Sequence, residues 1–172
     1  MKKLLIVVDF QNDFVNGSLG FDGAKNIEEN IVARIKEFEK DNNDIIFTLD
    51  THDENYFNTT EGKKLPVMHC VKNTKGHEIF GLVNSLSKNH LLIEKDTFGS
   101  SKLIDYLRTH HYEQIELVGL VSNICVFSNA VICKTIQPNS KIIVWRDSTS
   151  SNDLVIQEKS FDILRNLHID VL

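Results

Sequence analysis

Three side chains capable of acid–base and nucleophilic chemistry stand at the ends of apolar, strand-like runs. Asp9 ends the run KKLLIVVDF, Lys95 ends NHLLIEK, and Cys125 ends IELVGLVSNIC. In a parallel α/β sheet, the strand ends on one edge form the crevice that binds ligands. Three such ends would bring a carboxylate, an ammonium and a thiol together. A proton-transfer group, a cation and a sulfur nucleophile are the components of a cysteine hydrolase.

A second group of side chains has the chemistry of metal ligands. Asp50 and His52 are two residues apart at the end of a predicted strand, so an extended chain points them the same way. Glu61 and His69 follow in segment 50–76, which has no clear periodicity. Carboxylates and imidazoles of this kind suit a divalent ion such as zinc, with positions left for water or substrate. Ordinary polar residues of a surface loop would give the same pattern, and the residues alone leave both interpretations open.

The sequence around Cys125 predicts a strand, a tight turn and a helix, with the cysteine in the first helical turn. The partial positive charge and free N–H groups at a helix start would stabilise a thiolate there and could hold an oxyanion. A cysteine among apolar neighbours is more often a core residue. We interpret Cys133, two turns further along, as a core residue. Local sequence alone leaves both roles open for Cys125.

The elements that must position these side chains alternate regularly along the chain. Short apolar runs predict strands at 3–8, 44–48, 90–94, 114–118, 141–145 and 168–171. Longer amphipathic stretches predict helices at 26–41, 77–87, 100–110, 123–136 and 152–167, with Asn26 and Glu29, Ser101 and Asn152 as start signals. Continuous Val/Ile/Leu runs are typical of strands buried on both faces of a parallel sheet. The pattern therefore predicts an α/β fold with three αβα layers and a doubly wound, six-stranded, mainly parallel sheet.

The composition is that of an ordinary globular protein, with 41% hydrophobic and 25% charged residues among 172. This length suits a single domain spanning residues 1–172. The net charge is −5 and the chain has no block of Lys or Arg. Both features argue against nucleic-acid binding.

The cysteines and the apolar runs predict a cytoplasmic protein. Three cysteines without a Cys-x-x-Cys pair indicate reduced thiols. The first apolar run is only five residues long, ends at Asp9 and lacks a cleavage site, so it is not a signal peptide. No run approaches transmembrane length, and we expect no membrane partner.

Taken together, three motifs resemble those of the isochorismatase-like cysteine hydrolases. The segment DFQNDF (9–14) is similar to the family's opening D-x-Q-x-x-F motif. Lys95 within EKDTFGSS resembles the family's lysine followed by Phe and small residues. The segment GLVSNICV (119–126) resembles its G-x-x-[ST]-x-x-C-V turn. The resemblance runs nearly end to end and implies the isochorismatase-like hydrolase fold.

The resemblance also implies roles for these residues. Cys125 would be the nucleophile, Asp9 the proton-transfer residue, and Lys95 the cation that holds them by its charge. The backbone amides of Val121 and Cys125 would form the oxyanion hole. The family carries a non-proline cis peptide in this turn, which here would be the Leu120–Val121 bond.

The segments DTH (50–52) and MHCVKNTKGHE (68–78) resemble the metal loop of the nicotinamide-hydrolysing branch of the family. This implies a divalent ion held by Asp50, His52 and His69, with Glu61 as the fourth ligand. Zinc is the expected ion, and Mn²⁺ and Fe²⁺ are alternatives. The implied substrate contacts are Phe14, Gln11 and Leu65. Leu65 stands nearest to a position where the family often has an aromatic residue.

The expected activity is hydrolysis of a small amide, nicotinamide, to nicotinate and ammonia in NAD salvage, by a protein that forms a homo-oligomer as family members commonly do. A metal-free amidase of the same family, acting on another small amide or carbamoyl substrate, is the first alternative. A catalytically silent binding domain is an alternative of another class, although the intact Asp9, Lys95 and Cys125 set argues against it. Cleavage of a vinyl ether, as in isochorismate, is less favoured because that chemistry does not need the thiol.

Overall fold

A six-stranded sheet forms the centre of the molecule in the computed structural model, which describes residues 2–172. The strands are β1 (Lys3–Val8), β2 (Asp44–Asp50), β3 (Leu91–Lys95), β4 (Gln114–Leu120), β5 (Lys141–Ser150) and β6 (Asp170–Val171). Their order is β3-β2-β1-β4-β5-β6, and every neighbouring pair is parallel. The chain winds outward in one direction from β1 and in the other from β4. A parallel sheet binds ligands beyond the carboxyl ends of the strands at such a switch point.

Helices cover both faces of this sheet. They are α1 (Asn12–Val15), α2 (Glu28–Lys40), α3 (Thr60–Lys64), α4 (Gly81–Ser87), α5 (Ser101–Thr109), α6 (Phe127–Ile136) and α7 (Leu154–Asn166). Leu5 and Val7 of β1 pack in the same core cluster as α2 and α4, whereas Leu4 and Ile6 pack in the cluster of α5, α6 and α7. Both faces of β1 are therefore apolar, which confirms the three-layer prediction. No helix within residues 2–172 has the length and apolar character required to cross a membrane.

The six predicted strands and five predicted helices are all present, and the largest difference lies in β5. This strand was predicted to end at residue 145, but it continues to Ser150 through polar residues. Its pairing with β4 shifts register between Leu117 and Gly119 and then resumes with Thr149 opposite Gly119. The apolar pattern missed this second half because the buried side chains there are hydroxyls, Ser148 and Thr149.

The predicted helix start signals are wrong in detail. The side chain of Ser100, not Ser101, caps α5 by accepting from the Leu103 amide. The side chain of Asp153, not Asn152, caps α7 by accepting from two amides. Asn26 caps nothing, because Ala24–Ile27 forms a 3₁₀ turn that runs directly into α2. In α5 and α7 the capping side chain lies one residue away from the predicted position.

Gly119 is required where β4 passes closest to β1. Its φ is +111°, and a β-carbon there would overlap the backbone of Val8. We expect Gly119→Ala to lower the free energy of unfolding by more than about 2 kcal/mol, measured by denaturant titration. Gly23→Ala is the control, since Gly23 also has a positive φ, but a β-carbon there would meet only Ser150 Oγ, at an ordinary contact distance of 4.0 Å. Gly23→Ala should lower the free energy of unfolding by only about 1 kcal/mol. Equal losses in the two variants would contradict the close-approach argument.

Candidate active site

Four charged or nucleophilic side chains meet at the carboxyl edge of the sheet. Asp9 follows β1, Asp50 ends β2, and Lys95 ends β3. Cys125 lies in a π-helical turn, Ser122–Val126, that follows β4 and runs into α6. Parallel strands bring all four ends to one edge, as the sequence pattern predicts.

The ammonium group of Lys95 is the centre of this cluster. Its Nζ lies 2.6 Å from Asp9 Oδ2 and 3.3 Å from Asp50 Oδ1, donates to Thr97 O at 2.9 Å, and lies 3.6 Å from Cys125 Sγ. Burial alone would lower the pKa of Lys95. The negative charges beside it, Asp9 above all, raise the pKa above its ordinary value. The group therefore remains a cation although its side chain is only 1% exposed.

Asp9 is placed to accept a proton. It is completely buried, and Thr48 fixes it by donating its hydroxyl to Asp9 Oδ1 at 2.6 Å. The Asp9 amide donates to Thr48 O at 3.1 Å. Burial raises the pKa of Asp9, and the nearby Lys95 charge offsets only part of that effect. A buried carboxylate with a raised pKa is a stronger base than an exposed one.

Cys125 rests as a thiol rather than a thiolate. The residue is 5% exposed, and burial raises the pKa of its thiol well above the ordinary value. The Lys95 ammonium lowers the pKa, but the negative charges of Asp9 and Asp50 raise it further. The direction of the pKa shift therefore favours the thiol in the resting protein, and stabilisation of a thiolate by the helix start stays a prediction. The nucleophile forms only when a base takes the thiol proton, and the raised pKa of Asp9 suits that task.

Two histidines and two carboxylates converge beside the triad of Asp9, Lys95 and Cys125. Asp50 Oδ2 lies 3.0 Å from His52 Nε2 and 3.2 Å from His69 Nε2. Glu61 Oε1 lies 3.8 Å from His52 Nε2 and 3.9 Å from His69 Nε2. The four potential ligand atoms all lie within 4.8 Å of one another. Asp50 joins the two clusters, because its other oxygen contacts the Lys95 ammonium.

This second cluster fits a divalent metal ion. His69 Nδ1 lies 2.8 Å from Val67 O and must donate to it, which leaves the Nε2 lone pair facing the other three residues. Glu61 Oε2 is buried and has no hydrogen-bond partner among the described residues. Nitrogen and oxygen donors in this number are those that zinc and similar ions bind.

A cavity of about 180 Å³ lies against both Cys125 and the candidate metal cluster. Its lining residues are Phe14, Leu19, Phe21, Asp50, Glu61, Leu65, His69, Phe98, Val121, Ile124, Cys125 and Asn152. Most of them are apolar, and the three phenylalanines could pack against an aromatic ring. Phe14 and Leu65 lie where the sequence predicts them. The sequence pattern does not indicate that Leu19, Phe21, Ile124 and Asn152 form part of the wall. Phe98 lies in the motif that contains Lys95, but the motif predicts no role for it.

Gln11 has a different role from the predicted one. Its Nε2 donates to Asp50 O at 2.9 Å and to His77 O at 2.8 Å, and its Oε1 accepts from the Asp50 amide at 2.8 Å. The side chain is completely buried and does not line the cavity. We therefore correct the predicted substrate contact: Gln11 holds the backbone of Asp50, the residue shared by both clusters.

The turn before Cys125 presents a free backbone donor to the cavity. The Leu120–Val121 peptide is cis, which confirms the expected bond. Val121 lines the cavity, and its amide donates no hydrogen bond to any residue of the described chain, 2–172. A free N–H beside the thiol suits an oxyanion. The oxyanion hole of Val121 and Cys125 stays a prediction.

A buried thiol next to a carboxylate and an ammonium, at the edge of a parallel sheet, is the arrangement of a cysteine hydrolase. Residues 3–172 match the family described as the isochorismatase domain, and the chain belongs to this family.

Named relatives and solved structures agree with this assignment. The Bacillus subtilis (strain 168) protein named "uncharacterized isochorismatase family protein PncA" is 30% identical over 163 residues, 88% of this chain and 87% of its own length. The crystal structure of nicotinamidase/pyrazinamidase PncA from Bacillus subtilis has a TM-score of 0.88 and 27% identity, and covers 99% of both chains. The pyrazinamidase of Pyrococcus horikoshii, in complex with zinc, has a TM-score of 0.87 and 22% identity over 100% of this chain and 99% of that one.

Proposed function

We propose that this protein is a nicotinamidase that hydrolyses nicotinamide to nicotinate and ammonia in NAD salvage. One observation carries the proposal: Cys125 Sγ, 3.6 Å from the Lys95 ammonium, faces the same aromatic-lined cavity as the four-residue candidate metal cluster. A nucleophile at one end and a partner for a ring nitrogen at the other suit a pyridine carboxamide. The name of the Bacillus subtilis structure supports the same activity. The three unpaired thiols support a cytoplasmic location, and assembly into a homo-oligomer stays a prediction.

In the first half of the reaction, Cys125 Sγ attacks the carboxamide carbon while Asp9 takes the thiol proton. The carbonyl oxygen becomes an oxyanion, held by the amides of Val121 and Cys125. The carbon–nitrogen bond then breaks, Asp9 gives its proton to the departing amine, and ammonia leaves. Lys95 stays protonated throughout and offsets the negative charge that moves between sulfur and carboxylate.

In the second half, water attacks the carbonyl carbon of the Cys125 thioester. Asp9, again a carboxylate, takes a proton from that water, and the carbon–sulfur bond breaks. The proton returns from Asp9 to the sulfur, nicotinate leaves, and the resting thiol is restored. Because Asp9 acts in both halves, the buried Lys95–Asp9 pair at 2.6 Å must persist through the cycle.

Asp50, His52, Glu61 and His69 would hold the metal ion. Zinc is the proposed ion because its ligands are histidine nitrogens and carboxylate oxygens, and Mn²⁺ or Fe²⁺ would use the same donors. When bound, the ion would supply a coordination contact to the pyridine nitrogen and so orient the ring. The pyrazinamidase from Pyrococcus horikoshii, whose structure contains zinc, supports this choice.

Two alternatives are less well supported. A metal-free amidase would have no use for four potential ligand atoms within 4.8 Å of one another, two of them on buried imidazoles. A silent binding domain would have no use for a buried charge pair next to a cysteine, since burying charge is costly.

The direct test is ammonia release from nicotinamide, pyrazinamide, benzamide and a carbamoylated amine, with metal analysis of the same sample. Turnover of the two pyridine-like amides by a metal-containing protein supports the proposal. Turnover of the carbamoyl compound alone, by metal-free protein, supports the family amidase of other specificity. No turnover of any compound supports the silent domain.

We expect one divalent ion per chain in protein purified without a chelator, and His52→Ala should reduce that content to about one tenth or less. The reason is that His52 supplies one of four closely spaced donors. Elemental analysis of the purified protein measures the content without reference to activity.

His77→Ala is the matched control for the metal content. His77 is half-buried, and its Nε2 lies 2.8 Å from the hydroxyl of Thr51, the residue that precedes His52. His77 does not belong to the candidate metal cluster. The His77→Ala variant should therefore keep the full metal content. Equal metal content in wild type and His52→Ala would contradict the site.

A further inference from the structure

The side-chain amide of Asn129 joins two loops of the active site. Asn129 lies on α6, four residues after Cys125, and is completely buried. Its Nδ2 donates to Cys125 O at 2.8 Å and to Phe98 O at 3.1 Å, and its Oδ1 accepts from the Ser100 amide at 3.1 Å. Both N–H donors and one lone pair of the carbonyl oxygen are thus used, and Asn129 does not line the cavity.

The loop that Asn129 holds, residues 96–100, has three functions at the site. Thr97 O accepts a hydrogen bond from the Lys95 ammonium at 2.9 Å. Phe98 forms part of the cavity wall. Ser100 caps α5 through the Leu103 amide at 3.1 Å. A shift of this loop would therefore move the anchor of Lys95 and one wall of the cavity together.

We propose that Asn129 is a positioning residue that sets the distance between the Lys95 ammonium and the Cys125 sulfur. Lys95 is the last residue of β3 and its ammonium is anchored to the following loop through Thr97 O, whereas Cys125 belongs to the turn after β4, so their 3.6 Å separation depends on how that loop and that turn are joined. The Asn129 amide bonds to the backbone of both. Misplacement of reacting groups by about 1 Å can cost about 10²-fold in rate. The kinetic test of this inference rests on the proposed function, whereas the hydrogen bonds of Asn129 do not depend on it.

Gln137 provides a matched control at the other end of α6. Its Nε2 donates to Leu107 O at 2.9 Å and to His110 O at 2.7 Å, and its Oε1 accepts from the Tyr112 amide at 3.0 Å. The residue is 6% exposed. It therefore makes three bonds of the same kinds with a side chain of the same chemistry, and its Oε1 accepts a fourth from the Ser140 hydroxyl at 3.2 Å. It does so at the end of the helix that lies away from the catalytic residues.

The test compares Asn129→Ala with Gln137→Ala in the metal-loaded enzyme. Asn129→Ala loses three side-chain hydrogen bonds and Gln137→Ala loses four, so both melting temperatures should fall. We expect kcat for nicotinamide to fall about 30-fold in Asn129→Ala with KM changed less than about threefold, and kcat to stay within about twofold in Gln137→Ala. A kcat for Asn129→Ala within about twofold of the control would overturn the proposal, because both losses would then be purely structural.

A second variant and a second measurement keep the test decisive. Asn129→Leu keeps a branched side chain without polar atoms and is compared with Gln137→Met should the alanine variants not fold. The rate at which iodoacetamide alkylates Cys125, located by mass spectrometry, needs no substrate. It should fall about tenfold in the Asn129 variant and little in the control, because a displaced Lys95 stabilises the thiolate less. Equal alkylation rates would overturn the proposal. If the wild type releases no ammonia from nicotinamide, the proposed function fails while the alkylation comparison still tests Asn129.

Discussion

Replacing Cys125 with alanine should lower kcat/KM for nicotinamide by about 10⁴-fold or more. In the proposed mechanism the sulfur makes the covalent bond to the substrate, and no other described side chain in the cavity is a thiol or hydroxyl. The fold should survive, because the side chain is small and the turn around it is held by backbone bonds from Ile124 and Val126 to Val121. Ammonia release, together with circular dichroism of the same sample, measures both effects.

Cys133→Ala is the matched control for this substitution. Cys133 is also buried, but it lies in the core between α6 and the sheet, away from the cavity. Cys133→Ala should remain active.

Asp9→Asn should lower kcat/KM nearly as much as Cys125→Ala, since the carboxylate and the thiol act as a unit in the proposed mechanism. A Cys125→Ala enzyme that keeps more than about a tenth of the wild-type rate would rule out the covalent mechanism.

The catalytic side chains could be predicted from sequence because backbone topology alone brings them together. Asp9, Lys95 and Cys125 each end or follow a strand, and parallel strands place such ends on one edge. The Asp50 and His52 pair could also be predicted from the sequence, because alternate residues at a strand end point to one side. The long loop that carries Glu61 and His69 could be placed only by resemblance to the family.

The cavity wall and the protonation state could not be predicted in this way. Phe21 and Phe98 reach the cavity from loops without periodicity, so nothing local indicates where they point. The hydrogen-bond partners of Gln11 are backbone groups 39 and 66 residues away, which no local pattern reveals. The raised pKa of Cys125 comes from its burial and from carboxylates on other strands, so it depends on packing rather than on the helix start.

Nicotinamide should be a far better substrate than benzamide, by up to about 10⁴-fold in kcat/KM. The two rings have nearly the same shape, and Phe14 packs equally well against either. Only nicotinamide has a ring nitrogen with a lone pair. Asp50, Glu61 and His69 of the candidate metal cluster line the same cavity as Cys125, so an ion held by that cluster would bind this nitrogen. A site built around a polar contact rejects an analogue that lacks it, because the polar partner is left unsatisfied.

The measurement of this preference is kcat/KM for nicotinamide, benzamide and pyrazinamide at one fixed metal loading. Pyrazinamide is the matched control, because it keeps a nitrogen at the ring position that nicotinamide uses and should therefore retain most of the rate. Leu65 contributes an aliphatic wall that contacts each ring alike, so it cannot produce the difference. Equal values for nicotinamide and benzamide would mean that ring position is set by the phenylalanines alone. The physiological substrate would then have to be sought among amides without a pyridine nitrogen.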